Sequence, residues 1–125
     1  MLGKFDMLLT LPARDVGRAK RFYEEKLGLI PESEDPGGVH YRSGTTMFDI
    51  YPTEFAGSAQ HTLGGWLVDD IHAVVESLRE RGVVFEDYDL PGLRTEGGIA
   101  DLGSELSAWF KDSEGNILAI AELRR

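Results

Sequence analysis

The chain contains no cysteine. That excludes disulfides, thiolate zinc sites, iron–sulfur ligation and a cysteine nucleophile, and it suits a reducing compartment. No apolar run approaches membrane-spanning length, and the start, MLGKFDM, lacks the apolar stretch of a secretory leader. A soluble, cytoplasmic protein with no membrane partner is expected. Cations are scarce: 13 Lys and Arg stand against 22 Asp and Glu, a net charge of −9. Such a surface repels phosphate backbones, so nucleic acid is not an expected partner, whereas a cationic small molecule is attracted. No serine sits in a nucleophile-elbow context. EGGIADLG (96–103) lacks the Lys, the Ser/Thr and the following helix of a phosphate-binding loop.

What is present suits one compact domain. There are 125 residues, 42% of them hydrophobic, enough for a core without staples. Residues 5–11, FDMLLTL, read as a buried strand that Pro12 ends. Asp15 is placed to cap a helix whose apolar stripe is Val16, Ala19, Phe22, Tyr23 and Leu27, and Gly28 is placed to stop it. Extended segments follow near 29–33, 39–43 and 46–52, separated by EDPGG and SGT turn signals. The plan then repeats. Residues 63–68 read as a strand, Asp69 or Asp70 as a cap, Ile71, Val74, Val75 and Leu78 as a helical stripe, and Gly82 as the stop. Strands are expected at 83–86, 105–111 and 116–122. The stretch from Asp87 to Gly103 reads as a partly ordered loop shaping a pocket, or as an excursion with a strand near Gly98–Asp101. The order strand–helix–strand–strand–strand thus occurs twice, about 1–55 and about 60–125.

Strand alternation sorts the side chains. Phe48, Ile50, Trp66, Val68, Leu118 and Ile120 belong on a helix-covered face. Their neighbours face the other way and are the natural wall of a cleft: Leu8, Thr10, Met47, Asp49, Tyr51, Leu63, Leu67, Trp109, Ile117 and Ala119. Asp49 is the informative one, an acid in the middle of an apolar strand, where an unpaired carboxylate is costly. It either orients a ligand or acts as a general base, the one catalytic candidate, or it makes an internal pair with an Arg or a hydrogen bond to Tyr or Ser. His40 alternates with Tyr41 and could join it, as could His61; His72 reads as surface. Trp109, Tyr51 and Met47 could stack on an aromatic or cationic ligand or simply cover the sheet.

Three stretches, ARDVGRAKRFYEEKLGL (13–29), LVDDIHAVVESLRERGV (67–83) and WFKDSEGNILAI (109–120), resemble signatures of the vicinal oxygen chelate superfamily, the group of glyoxalase I, bleomycin-resistance proteins and extradiol dioxygenases. The resemblance implies an α+β fold: two βαβββ modules making a half-open curved mixed sheet around a cleft, helices on the outer face, usually in a homodimer. It also implies a divalent metal on four side chains, with open positions for two vicinal oxygens. The matching positions here are Leu8, Asp49, Leu63 and Ala119. Three offer no lone pair, so a metal is disfavoured and no cofactor is expected. Metal-free bleomycin-binding members are the nearer model. The expected function is small-molecule binding with a lost metal site. The alternative is a lyase, isomerase or dioxygenase-like enzyme, metal-dependent or using Asp49 as base. A protein-interaction domain is a third option.

Overall fold

A computed structural model describes residues 1–124. Module one comprises β1 (Leu9–Ala13), α1 (Val16–Arg21), β2 (Ile30–Asp35), β3 (Gly38–Ser43) and β4 (Thr46–Pro52). Module two comprises β5 (Thr62–Leu67), α2 (Ile71–Glu80), β6 (Asp89–Leu90), β7 (Leu93–Glu96), β8 (Ile99–Asp101), β9 (Glu105–Lys111) and β10 (Ile117–Leu123). The strands form two mixed sheets, in the orders β1-β4-β3-β2 and β5-β10-β9-β8-β7-β6. In each sheet the first strand of the module pairs in parallel with the last, β1 with β4 and β5 with β10. The architecture is the α+β pair of modules expected, with neither sheet closed into a barrel. No ladder joins the two sheets among the described residues.

The helix signals work as their chemistry requires. The Asp15 side chain accepts from the Arg18 amide at 3.0 Å, and that of Asp70 accepts from the Ala73 amide at 3.2 Å. Gly28 (φ 74°) and Gly82 (φ 91°) follow the helices in the left-handed region. After Arg21 the first helix widens into a π-type turn, Phe22–Lys26.

Three expectations change. The first strand begins at Leu9, after most of FDMLLTL, and Pro12 lies inside it. Proline is tolerated there because β1 is a sheet edge. Residues 83–86 supply only a single bridge, Phe85 to Phe110, rather than a strand. The 87–103 stretch is the ordered β6–β7–β8 meander, including the strand near Gly98–Asp101.

One core spans both modules. Tyr41, Phe48 and Ile50 from the first share it with Phe85, Phe110, Leu118 and Ile120 from the second. The alternation reading holds here: Phe48, Ile50, Leu118 and Ile120 are all buried. Ring contacts form a chain: Phe48–Tyr23 (6.1 Å), Tyr23–Phe22 (5.7 Å), Phe22–Phe110 (6.4 Å) and Phe110–Trp66 (6.3 Å). Each such pair adds roughly 0.5–1.5 kcal/mol beyond its buried area. The turn of the β9–β10 hairpin fastens the modules through polar groups. Tyr23 donates to Asp112 at 2.5 Å, and Asn116 donates to Pro12 O at 2.8 Å. Glu114 accepts from the amides of Arg14 and Asp15 and from the Arg18 guanidinium.

Candidate functional site

The side of the sheets away from the core is open. In β4 the buried pair Phe48 and Ile50 leaves Met47, Asp49 and Tyr51 pointing outward. Register extends Asp49 into a row, because it pairs with Thr10 on β1 and with His40 on β3, and His40 pairs with Ser33 on β2. The two-residue turn Gly44–Thr45 sets this register: Ser43 faces Thr46, so His40 faces Asp49.

The row contains a three-membered polar contact. His40 Nδ1 lies 2.6 Å from Asp49 Oδ1, and His40 Nε2 lies 2.9 Å from Asp35 Oδ2. Each carboxylate can only accept, so an imidazole donating to both must carry both protons. Asp35 first, then Asp49, accordingly hold the imidazole above its ordinary 6.5. The Asp35 carboxyl is held below its ordinary value by His40 and by the Gly37 amide. Two carboxylates around one imidazolium leave one net negative charge on this face. Arg42 beside them is tied to Glu32 at 2.7 Å.

The equivalent row of module two has no charge. Ala119 on β10 pairs with Gly65 on β5 and with Trp109 on β9. A Cβ on Gly65 would lie 2.3 Å from Ala119 O, so only glycine fits. Trp109 is half-buried, its ring edge-on to Tyr88 at 5.6 Å.

The remaining expected wall residues are distributed as follows. Thr10 and Leu67 are exposed, Leu67 at 73%. Met47 and Tyr51 are at about 40% (38% and 41%), and Leu63 and Ile117 are half-buried. Leu8 precedes β1 and is 51% exposed. His40 reaches the open face; His61 is exposed, its Nδ1 3.1 Å from the neighbouring Thr62 carbonyl; His72 is on the outer side of α2. At the four positions the resemblance assigns to a metal, Asp49 alone offers donor oxygens, and one of them is engaged by His40. Leu8, Leu63 and Ala119 offer none. Among the described residues no group of three or more His, Cys, Asp or Glu is placed to hold a metal ion. Sequence reasoning considered His40 and passed over Asp35, which reaches His40 from the end of β2.

Comparisons with known proteins come to the same fold. A family model described as the Glyoxalase/Bleomycin resistance protein/Dioxygenase superfamily matches residues 4–120. Among solved structures, a glyoxalase family protein from Enterococcus faecalis is 21% identical, with TM-score 0.74, over 98% of this chain and all of that one (100%). TnmS3, an antibiotic binding protein from Streptomyces sp. CB03234, is 22% identical with TM-score 0.66 over 96% of each chain. A lactoylglutathione lyase from Agrobacterium tumefaciens is 21% identical with TM-score 0.64, over 94% of this chain and 92% of that one. No curated protein sequence matches the chain.

Proposed function

The chain belongs to the glyoxalase/bleomycin resistance protein/dioxygenase superfamily, and from that premise we propose that it binds a small aromatic or cationic molecule on its open face without a metal. The observation behind this reading is the Asp49 row. Asp49, one oxygen engaged by His40, stands between Thr10 and His40 across the sheet and between Met47 and Tyr51 along β4, at a position where the superfamily otherwise has a metal donor. A single net negative charge next to Tyr51 and Met47 suits a cation with an apolar body. The likeness to an antibiotic binding protein points the same way. The open face exposes Leu8, Leu67 and Tyr51, and a second copy of the chain covering them in a homodimer is part of the proposal. A cytoplasmic location completes it, in keeping with the missing cysteines.

The enzymatic alternative has one observation in its favour, the 2.6 Å carboxylate–imidazole contact. A general base needs a free lone pair, however, and both His40 nitrogens face carboxylates. Only the second oxygen of Asp49 remains for a substrate proton.

The test uses protein purified without chelator. Metal analysis should find no stoichiometric ion, and Ni, Zn, Mn or Fe should not raise the melting temperature. A tight ion at one per chain ends the metal-free reading. A screen of cationic glycopeptides and aromatic amines should give a stabilising ligand, and Asp49→Asn should weaken it about five- to tenfold. Light scattering should give twice the 13.9 kDa chain mass. Hits indifferent to Asp49→Asn would remove the carboxylate from the binding role.

A further inference from the structure

β1 and β5 are the facing edges of the two sheets, and side chains rather than hydrogen bonds fill the space between them. The filling is incomplete. A cavity of about 280 Å³ remains, walled by Leu9, Leu11, Phe48, Trp66 and Leu118. Its mouth lies beside Met7 and Thr46, both exposed. Gly64 is its floor: a Cβ there would come within 2.9 Å of Leu9 Cδ2. A second cavity of about 240 Å³ lies on the far side of Trp66, between that indole and Leu29, Val74, Leu78 and Phe110. Trp66 and Ser43 line both, and Trp66 Nε1 donates to Ser43 Oγ at 2.9 Å. The Trp66–Ser43 pair is the partition between two chambers.

We propose that this space between the modules is a second ligand site, one that takes a neutral, flat aromatic molecule and uses Trp66 as its inner wall. The argument is chemical. In a chain with 28% charged residues, no charged side chain among the described residues lines either chamber. An ammonium or carboxylate would enter without a partner, which is costly. The walls are branched aliphatics and aromatic faces, and the polar groups of the first chamber's rim are the Ser43 and Thr46 hydroxyls. Apolar cavities of about 150 Å³ admit a single benzene ring, so about 280 Å³ has room for two fused rings. Of the open-face residues Met47 and Gly65 line this cavity, and Asp49 and His40 do not. The site therefore goes beyond the open-face reading, and its ligand differs in charge from the one proposed there.

The probe is 1-naphthol, uncharged at neutral pH, with 1-naphthylmethylammonium as its charged counterpart. The readout is the indole Nε1–H signal of Trp66 in nitrogen-15 spectra, assigned with Trp109→Phe. 1-Naphthol should shift that signal saturably with a dissociation constant of about 1 mM or below. The ammonium should leave it in place. Gly64→Val, which fills the floor, and Thr46→Phe, at an exposed position of the mouth, should each weaken the titration about tenfold. Thr46→Phe keeps the test decisive if Gly64→Val fails to fold. No saturable shift, a titration indifferent to Thr46→Phe, or equal binding of the ammonium overturns the proposal. Loss of 1-naphthol binding in Asp49→Asn also overturns it, by placing the probe on the open face. Failure of the cationic ligand screen alone leaves this site standing.

Discussion

At the scale of single residues, His40 is the group whose chemistry depends most on its neighbours. Its ring is held toward the cationic form because both nitrogens face carboxylates, and this carries a sign for pH dependence. A histidine whose folded value is raised stabilises the protein fully below 6.5 and loses that contribution as pH climbs through the raised value. The His40 ring protons should therefore titrate with a midpoint above 6.5 in nuclear magnetic resonance spectra, and Asp49→Asn should move that midpoint down. A midpoint at or below 6.5 would show that the two contacts do not persist in solution. The same titration bears on binding. Deprotonation of His40 leaves Asp35 and Asp49 without their shared cation, so the open face becomes more negative and should hold a cation more tightly. The sequence offered His40 only as a residue that could join Asp49, and an Arg, Tyr or Ser as its internal partner; the register set by the two-residue turn at Gly44–Thr45, which puts residue 40 opposite residue 49, came with the structure. Asp35 was not legible, because it faces Gly38 across the β2–β3 ladder and its side chain reaches His40 diagonally from the end of β2.

At the scale of elements, the short-range signals were the readable ones. Asp15 and Asp70, with Gly28 and Gly82, mark both helices because a cap acts within three residues of itself. Period-two alternation likewise identified Phe48, Ile50, Leu118 and Ile120 as core, since a sheet with one buried face imposes it. Pro12 misled because an edge strand tolerates what an inner strand does not, and edge position is a property of the whole sheet. The caps give a direct test. Asp15→Ala removes the acceptor for the Arg18 amide and should cost about 1 kcal/mol in denaturant unfolding; Asp70→Ala should cost a similar amount for Ala73. Asp15→Asn should restore most of the loss, as the amide oxygen can still accept. A full loss in Asp15→Asn would instead point to the carboxylate charge beside Arg18.

At the scale of the whole molecule, the cavity between the sheets and the contacts that hold the modules together are both non-local, which is why neither could be read along the chain. Glu114 is the clearest such contact. It sits in the β9–β10 turn of module two, yet its carboxylate accepts two amides and a guanidinium from the start of α1, about a hundred residues earlier (|i−j| of 96 to 100). Burial alone would raise this carboxyl; the Arg18 guanidinium, the Asp15 amide and the Ser113 hydroxyl outweigh it and pull the value down to about 2. A depressed carboxyl stabilises the fold fully above 4.5 and loses that contribution as pH falls toward about 2. Glu114→Gln keeps the shape, turns an amide group toward Arg18, and should cost roughly 1–3 kcal/mol at pH 7. The difference between wild type and variant, followed by thermal melts, should shrink steadily from pH 4.5 downward as the wild-type carboxyl takes up its proton. Because the core is shared by both modules, each melt should remain a single transition by circular dichroism and by tryptophan fluorescence. A gap that stays constant with pH would mean that Glu114 acts through packing alone. Two separate transitions in the variant would mean that this carboxylate, more than the aromatic contacts around Phe110, keeps the modules one folding unit.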